Sequence, residues 1–487
     1  MAWGFYGRQL EADDLTAILA GNRWFFVKIT GRRRIGKTTL IQQALRRSGR
    51  QRLFYVQIPD SAAAGVLSAV HDALDTFGID EQTAPRPHTL REFAKMIGAL
   101  VRRGFAVAID EFQYFHRKVL AEFCSHLQAE IDRLVAPGEV VHGGLIVLGS
   151  IHTEVTSLLE DRAAPLYNRA TNALHLPHLD LEAIRIMLTA HEAMDARRFL
   201  FLWNLFEGVP KFYRDCFEEG VLGASRQDLL DRALFTSSAP LRNEAENWFL
   251  RELRGRYDVV LKFLARHPGC GHADVLAHVQ AVSTETKEQV GGYLKILEER
   301  YGMIERLPPI FSEKRERKNR YYIADNFLRT WLAALAAPVS ALNFRPKHEI
   351  LAEADQRLEV AEGHGLERLV AQLYEERSRK GLPGFALTQR IRGYWDRGDT
   401  ELDLVALDES RRIVRVANIK RSADKLFASE KVFHDHVERF LDGFPHLREW
   451  RIERAAATVV LSPGERAELV RRGYHAEDLM DLIPGVS

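Results

Sequence analysis

Apolar runs that alternate with amphipathic stretches organise the first third of the chain. The run 24–29 predicts a buried strand, and residues 90–101 place apolar side chains at helical spacing. Further apolar runs share the length and composition of strands: 52–58, the first part of 105–113, 144–150 and 174–179. Strands that alternate with helices favour a parallel sheet covered by helices on both faces. We therefore predict an α/β fold for this part of the chain.

A glycine-containing segment, GRRRIGKT at 31–38, follows the first strand and precedes a predicted helix. This strand, loop and helix are the context that the phosphate-binding pattern GxxxxGK[ST] requires. Backbone N–H groups and the helix N-terminus would surround the phosphates of a nucleotide. Lys37 would reach the β- and γ-phosphates, and the Thr38 hydroxyl would bind Mg²⁺. The other residues predicted to bind the cofactor ATP here are Gly31, Arg32, Arg33, Arg34, Ile35, Gly36 and Thr39. The alternative is a plain glycine turn.

Two adjacent acids, Asp110 and Glu111, end the apolar run that begins at residue 105. A carboxylate at the carboxyl end of a strand beside a phosphate loop can hold Mg²⁺, directly or through water. The next acid can act as general base on the attacking water. We assign these roles to Asp110 and Glu111, respectively. A solvated turn is the alternative for such a pair, and its position downstream of a phosphate loop favours the catalytic interpretation.

Composition limits the remaining function classes. The chain has 487 residues and a formal net charge of +1, so any basic surface for a nucleic acid must be local. No apolar run approaches the roughly 18 residues that span a bilayer. The N-terminal residues lack a signal-peptide pattern, and the three cysteines fit neither a disulfide framework nor a metal site. We expect a cytoplasmic protein with no membrane partner.

The segment FYGRQLE at 5–11 resembles the hhGRExE motif of STAND-class and archaeal-type P-loop ATPases. In those families the motif lies near the adenine and ribose. Gln9 replaces the usual first acid, so the resemblance implies binding roles for Arg8 and Glu11. The start of a helix would explain the same residues without a nucleotide.

The same resemblance extends to two positions downstream. In this class the strand beside the phosphate loop ends in a small polar residue that senses the γ-phosphate, and Ser150 has that position. The segment APLYNR at 164–169 resembles the PLYGR signature, with Asn168 in the glycine position. Arg169 would then stabilise charge on the γ-phosphate, in cis or across a subunit boundary. A helix cap at Ser150 and a surface loop arginine at Arg169 are the alternatives.

Residues 180–245 are predicted to be a mostly helical lid. The segment GVP at 208–210 resembles the GxP motif of STAND proteins, in which the proline packs near the adenine. This implies a nucleotide-linked role for Pro210, and ordinary helix termination is the alternative. Residues 246–335 predict three helices and two strands around a basic hairpin at 313–320, which is typical of a winged helix. Such a module binds double-stranded DNA or serves only in packing or oligomerisation.

Residues 336–487 predict a separate α/β module, in which residues 361–376 show the apolar spacing of a helix. Strand residues 401–406 and 413–419, the latter followed by Lys420, resemble the PD-(D/E)xK nuclease-like domain. Asp403 and Lys420 match its metal-binding acid and lysine, and Glu367 has the position of its helix acid. Asn418 replaces the second acid, which favours a degenerate scaffold over an active nuclease.

From its core to its tail the chain resembles the archaeal-type P-loop ATPase family, an AAA-like group within the STAND class. The resemblance implies an ATPase core at 1–179, a helical lid at 180–245, a winged helix at 246–335 and a nuclease-like domain at 336–487. We predict an ATP-hydrolysing molecular switch with an unidentified protein partner and possible self-assembly. An ATP-gated metal-dependent nuclease and a DNA-binding regulator are the alternatives.

Overall fold

The computed structural model describes residues 2–150, 152–242, 244, 257–282, 285–312, 318–396 and 398–485. The chain divides into two compact units. The first unit comprises Gly7–His178 and Val209–Lys211. The second unit comprises Met1–Tyr6, Leu179–Gly208 and Phe212–Ser487.

The first unit contains a five-stranded parallel sheet with the strand order β2-β3-β4-β1-β5. Its strands are β1 (Phe25–Gly31), β2 (Leu53–Gln57), β3 (Ala106–Asp110), β4 (Gly144–Gly149) and β5 (Asn172–Leu176). Every residue of β1, β3 and β4 is buried, as expected for central strands of a parallel sheet covered on both faces. The predicted α/β class and its parallel sheet are confirmed.

Helices connect these strands. They are α1 (Gln9–Ala20), α2 (Lys37–Ser48), α3 (Ala63–Thr76), α4 (Leu90–Arg102), α5 (Glu122–Leu134) and α6 (His152–Leu159), with a 3₁₀ helix at Phe112–His116. The sequence starts α4 with a capping residue, because the Thr89 side chain accepts a hydrogen bond from the backbone N–H of Glu92. The buried face of α4 packs in the same hydrophobic core as β2 and β3.

The second unit begins with helices α7 (Leu181–Ala190), α8 (Ala196–Phe206), α9 (Pro210–Glu218, whose first two residues belong to the first unit) and α10 (Arg226–Leu230). Its middle part contains α11 (Asp258–Arg266), α12 (His272–Val282), α13 (Lys287–Lys295), α14 (Asn326–Thr330) and α15 (Ala336–Ser340). The last helices are α16 (Lys347–Arg379), α17 (Ala423–Gly443), α18 (Pro463–Arg471) and α19 (Leu479–Leu482). Turns of π-helix lie at Asp231–Phe235, Ile296–Arg300 and Trp331–Leu335, and a 3₁₀ helix lies at Pro445–Glu449.

Two sheets belong to the second unit. The smaller one has the order β6-β8-β7, built from β6 (Cys270–Gly271), β7 (Ile304–Leu307) and β8 (Arg320–Ile323). The larger one has the order β13-β12-β11-β10-β9. Its strands are β9 (Arg392–Trp395), β10 (Glu401–Asp408), β11 (Ile413–Ile419), β12 (Arg451–Thr458) and β13 (Tyr474–Asp478).

A buried polar network joins three helices of the second unit. Arg329 on α14 donates from Nη2 to Oδ1 of Asn204 on α8 at 2.6 Å, and from Nη1 to the carbonyl oxygen of Ala361 on α16 at 3.2 Å. Burial lowers the pKa of the Arg329 guanidinium to about 10. Because buried charges are stable only when they are hydrogen-bonded, this network fixes how α8, α14 and α16 pack together.

Predicted and observed elements differ in two places. The fifth strand was expected at 174–179 but ends at Leu176, because Pro177 lacks the N–H that a ladder requires. The helix expected to begin near residue 361 begins at Lys347, since Ile350, Ala354 and Leu358 continue its buried stripe.

The predicted division of the chain into four domains stays a prediction. Residues 313–317 of the predicted basic hairpin lie outside the described residues. Among the described residues, no helix combines the length and the apolarity that a membrane crossing needs.

Candidate nucleotide site

The loop 31–38 connects the central strand β1 to the N-terminus of α2. Gly36 immediately precedes the helix and has a φ of 97°, a backbone conformation that residues other than glycine rarely adopt. A Cβ atom at Gly31 would lie 2.7 Å from the carbonyl oxygen of Leu176 on β5, so a side chain would not fit there. The N-terminus of α2 has no side-chain cap. Its first N–H groups therefore suit an anion.

Lys37 folds back over this loop. Its Nζ atom donates to the carbonyl oxygen of Gly31 at 2.8 Å and to that of Arg32 at 3.2 Å. Burial lowers the pKa of Lys37, although the charges of Asp110 and Glu111 partly oppose that effect. The ammonium group is thus held near the loop by weak neutral acceptors. Of the other predicted residues, Ile35 is buried, Arg32 and Arg34 are half-buried, and Arg33 and Thr39 are exposed.

Asp110 lies at the carboxyl end of β3 and joins Thr38 as the sequence predicts. The Thr38 hydroxyl donates to Oδ2 of Asp110 at 3.4 Å. The same oxygen accepts a 2.7 Å hydrogen bond from the hydroxyl of Tyr55 on β2. Burial, with the Asp110 charge, raises the pKa of the Tyr55 hydroxyl. Tyr55 was not predicted, because only the pairing of β2 with β3 brings it beside Asp110.

The oxygen donors of Thr38 and Asp110 suit Mg²⁺, which prefers hard oxygen ligands and keeps several waters. A hydroxyl and a carboxylate 3.4 Å apart already form the pair of protein ligands that such a site needs. The side chains present therefore fit the ion that the sequence predicts.

Glu111 and Ser150 are also brought together. The Ser150 hydroxyl at the end of β4 donates to Oε2 of Glu111 at 2.9 Å. Gln113 is the third member, since its Nε2 donates to the same Glu111 oxygen and to Ser150 Oγ, the latter at 3.2 Å. Gln113 was not among the predicted residues. Its position two residues after Glu111, within a tight 3₁₀ turn, was the available signal.

The remaining predicted residues of the first unit have local partners. Arg8 donates to Oε1 of Glu11 at 3.3 Å and also to the carbonyl oxygen of Pro177. Pro210 lies near the phosphate loop, because a Cβ built on Gly36 would be 3.8 Å from Pro210 Cγ. Arg169 forms a two-point ion pair with Asp132, in which Nε–Oδ1 is 2.9 Å and Nη2–Oδ2 is 3.0 Å.

The second unit brings together the three tail residues that the sequence singled out. Lys420 Nζ lies 3.1 Å from Oδ2 of Asp403. Burial and the neighbouring Asp403 carboxylate raise the pKa of Glu367 well above its usual range, while the Lys420 charge acts in the opposite direction. The Asn418 amide instead faces α17, where its Nδ2 donates to Ser429 Oγ at 2.9 Å.

Several known proteins are similar to this chain. Residues 25–137 match the model of a family described as an AAA domain. The uncharacterized protein MJECL04 of Methanocaldococcus jannaschii is 23% identical over 442 residues, which span 88% of this chain and 90% of that protein. The Walker-type ATPase PABY2304 of Pyrococcus abyssi is 18% identical with a TM-score of 0.51, over 67% of this chain and 96% of that chain.

A further solved structure is that of the ORC2 protein of Aeropyrum pernix in its ADPNP–ADP complexes. It is 15% identical with a TM-score of 0.43, over 72% of this chain and 94% of that chain. The AAA match and the Pyrococcus structure support one conclusion on the first unit. The first unit has a P-loop ATPase fold, and its residues 25–137 are similar to an AAA domain.

Proposed function

We propose that the chain is an ATP-binding and ATP-hydrolysing molecular switch of the AAA-like STAND type. One observation carries the proposal. The uncapped N-terminus of α2 and Lys37 follow the carboxyl end of β1, and the same ends of β3 and β4 in that parallel sheet carry Asp110, Glu111 and Ser150. Ligands bind at the carboxyl ends of strands in such sheets, so an anion and its reacting water would meet there.

Binding of ATP would exchange the partners of Lys37. The phosphate oxygens carry charge and are stronger acceptors than the carbonyl oxygens of Gly31 and Arg32, which accept hydrogen bonds from Lys37 Nζ. Residues 31–39 would surround the phosphates with backbone N–H groups. By resemblance, Arg8, Glu11 and Pro210 would lie near the adenine and ribose.

Hydrolysis would use the acids at the strand ends. Thr38 and Asp110 would hold Mg²⁺, and when bound this ion neutralises charge that develops on the phosphates. Glu111 would take a proton from a water whose oxygen attacks the γ-phosphorus. The bond from that phosphorus to the bridging oxygen then breaks, which yields ADP and inorganic phosphate. Ser150 would lie close to the γ-phosphate as its sensor, and Arg169 would stabilise the charge of that phosphate.

The switch would act through Pro210. Pro210 lies beside Gly36 of the phosphate loop and is also the first residue of α9. A change in the loop on binding or hydrolysis would therefore act on the start of that helix. We propose that residues 180–245 form the lid and residues 246–335 the winged helix that respond.

Two variants test this function. We expect Lys37→Ala to lose ATP affinity by about 100-fold or more, because one charge-assisted contact to the phosphates disappears in a buried site. We expect Glu111→Gln to bind ATP within about twofold of the parent while turnover falls about 100-fold or more, as for loss of a general base. Isothermal titration and phosphate-release assays measure the two quantities.

Lys118→Ala supplies a matched control, since Lys118 is exposed and lies outside the site. Its affinity and turnover should equal those of the parent. Equal ATP affinity in Lys37→Ala and the parent would contradict the proposed site. Unchanged turnover in Glu111→Gln would remove Glu111 from its role as base.

A metal-dependent nuclease gated by ATP is the second candidate function. The specific observation that favours it is the cluster of a half-buried helix acid, a strand acid and a lysine at Glu367, Asp403 and Lys420. Two acids and a lysine can hold a divalent metal and orient a water for phosphodiester hydrolysis. Asn418 argues for a degenerate site that binds DNA or a protein partner without cleavage, since an amide is a weaker metal ligand.

Incubation of plasmid DNA with the protein, ATP and Mg²⁺ or Mn²⁺ separates these possibilities. Cleavage that Asp403→Ala and Lys420→Ala both abolish would support the nuclease. Intact plasmid, with ATP turnover present in the same sample, would leave the tail as a scaffold. Asp424→Ala is the control, because Asp424 is exposed at the start of α17.

A DNA-binding regulator is the third candidate, and it depends on the predicted winged helix. We propose a cytoplasmic protein that self-assembles and responds to a protein partner or to double-stranded DNA.

A further inference from the structure

Gln113 closes a ring of three hydrogen bonds with Glu111 and Ser150. Its Nε2 atom donates both to Oε2 of Glu111 and to Ser150 Oγ, and Ser150 donates to that same Oε2. Both donors therefore act on one oxygen of the Glu111 carboxylate. Among the described residues, no hydrogen bond joins a donor to Oε1 of Glu111, which leaves that oxygen to accept a proton.

The orientation of the Gln113 amide is fixed by chemistry. A reversed amide would place its oxygen against the Glu111 carboxylate, and two acceptors repel each other. Ser150 already uses its proton toward Glu111, so it can only accept from Gln113. The three hydrogen bonds can therefore form with only one orientation of the Gln113 amide.

Gln113 is held in this orientation at a cost to stability. The side chain is 2% exposed, and its Oε1 atom has no hydrogen-bond partner within the described part of the chain. A buried acceptor without a donor destabilises a fold, and an apolar side chain of the same size would avoid that cost. Such an exception in a folded protein calls for a functional reason.

Two local features make room for the amide. Glu111 has φ 54°, and this left-handed residue turns the chain into the 3₁₀ helix that returns Gln113 to its side. Gly149 lies against Gln113, since a Cβ atom there would be 3.0 Å from Gln113 Oε1 and 2.0 Å from Val155 Cγ2. Backbone conformation and neighbouring packing therefore both favour this amide position.

We propose that Gln113 is the positioning residue for the general base Glu111, an inference that rests on the proposed ATPase function. Gln113 fixes one carboxylate oxygen, so that the other oxygen meets the attacking water in one geometry. Gln113 touches neither the phosphates nor the water in this role. Its loss should therefore change turnover while leaving ATP binding intact.

The main test is Gln113→Met, which keeps an unbranched side chain of similar length and removes both the donor and the unpartnered acceptor. We expect kcat to fall by about 10- to 100-fold, a part of what a general base contributes. The KM for ATP should stay within about twofold, and the melting temperature should not fall. Gln51→Met is the matched control, because Gln51 is exposed and outside the site.

A double-mutant cycle separates positioning from a general structural effect. If Gln113 acts only through Glu111, the Gln113→Met/Glu111→Gln protein should turn over no more slowly than Glu111→Gln alone. Multiplied losses in the double variant would overturn the inference. So would a kcat for Gln113→Met equal to that of the parent.

Gln113→Glu gives a second readout that does not depend on Gln113→Met folding. An ionised carboxyl cannot donate to Glu111, whereas a protonated one can. We expect its turnover relative to the parent to be lower at pH 8 than at pH 6, and a ratio that does not change with pH would overturn the inference. A parent without ATP turnover would contradict the proposed function itself, whereas an active parent with unaffected Gln113 variants would contradict only the role of Gln113.

Discussion

Arg169 forms an ion pair with Asp132 that is weak enough to break. The pair has two short contacts, but half of the Asp132 side chain is exposed, and exposed ion pairs contribute about 1 kcal/mol or less. If Arg169 stabilises the γ-phosphate, we expect Arg169→Ala to lower ATP turnover by about 100-fold or more. Asp132→Ala frees the guanidinium and should leave turnover within about twofold of the parent. Phosphate-release assays on both variants measure this.

A mixing experiment tells whether Arg169 acts within its own subunit or across a boundary. Arg169→Ala and Glu111→Gln should each turn over poorly alone. Recovery of turnover in a mixture of the two means that a neighbour supplies Arg169 to an intact Glu111 site. If Arg169→Ala and Asp132→Ala both match the parent, Arg169 is a structural residue and has no part in hydrolysis.

The order of the elements along the chain predicts some residues of the site and does not predict others. Thr38 and Asp110 were predicted together, because parallel strand ends meet at one edge of a sheet. The contact of Tyr55 with Asp110 depends on the register of β2 against β3. In that register Tyr55 is opposite Ala108, two residues before the residue that pairs with Asp110. The apolar pattern of β2 does not give its register against the fully buried β3. The position of Gln113 depends on the left-handed turn at Glu111, and no residue type in the sequence indicates that turn.

Elements were predictable where their apolar pattern has clear limits. Strand β11 has the predicted bounds 413–419, since six of its seven residues are buried and a lysine follows. Helix α16 was predicted too short, because charged residues separate its early apolar positions, which recur only every four residues. Burial of that stripe depends on tertiary partners that the local pattern does not reveal.

The N-terminal segment of the second unit has a pH-sensitive contact. The Trp3 ring stacks on His191 at 5.0 Å, and the Tyr6 hydroxyl is 2.9 Å from His191 Nε2. Burial lowers the pKa of His191, so the folded contact disfavours the protonated ring. The stability of this contact is therefore fully present above the unfolded pKa of about 6.5 and is lost as the pH falls through the lower folded value.

We expect the contact to weaken as the pH falls below about 6.5, because the folded pKa of His191 is lowered. The difference in tryptophan fluorescence between the parent and Trp3→Phe isolates the signal of Trp3, which should shift to longer wavelength as the ring becomes hydrated. His191→Gln cannot titrate in this range, and its Trp3 signal should not depend on pH. A parent signal that is also constant over this range would contradict the assignment.

The charge of the whole chain restricts how it can bind DNA. A formal net charge of +1 provides no general attraction, so any binding must come from a few local cations. Near the predicted hairpin, Arg306 lies 3.5 Å from Glu298 and Arg320 is paired with Glu401. These acids reduce the local positive charge, so any contact should be weak, with a salt dependence set by the few phosphates that it neutralises.

If the winged helix binds double-stranded DNA, replacing Arg315, Arg317 and Lys318 with alanine should weaken binding and flatten its salt dependence. Each lost phosphate contact reduces the slope of log affinity against log salt by about 0.9. Alanine at Arg448, Arg471 and Arg472 removes equal charge from exposed positions in the 3₁₀ helix Pro445–Glu449 and at the end of α18, without changing the residues of the hairpin. Fluorescence anisotropy with a labelled duplex at several salt concentrations measures both triple variants. Equal weakening in the two would mean that total charge, and not the hairpin, drives binding.

If DNA acts as the upstream signal, the same duplex should raise ATP turnover and particle size in the parent but not in the hairpin variant, because only the parent couples the contact to the nucleotide site.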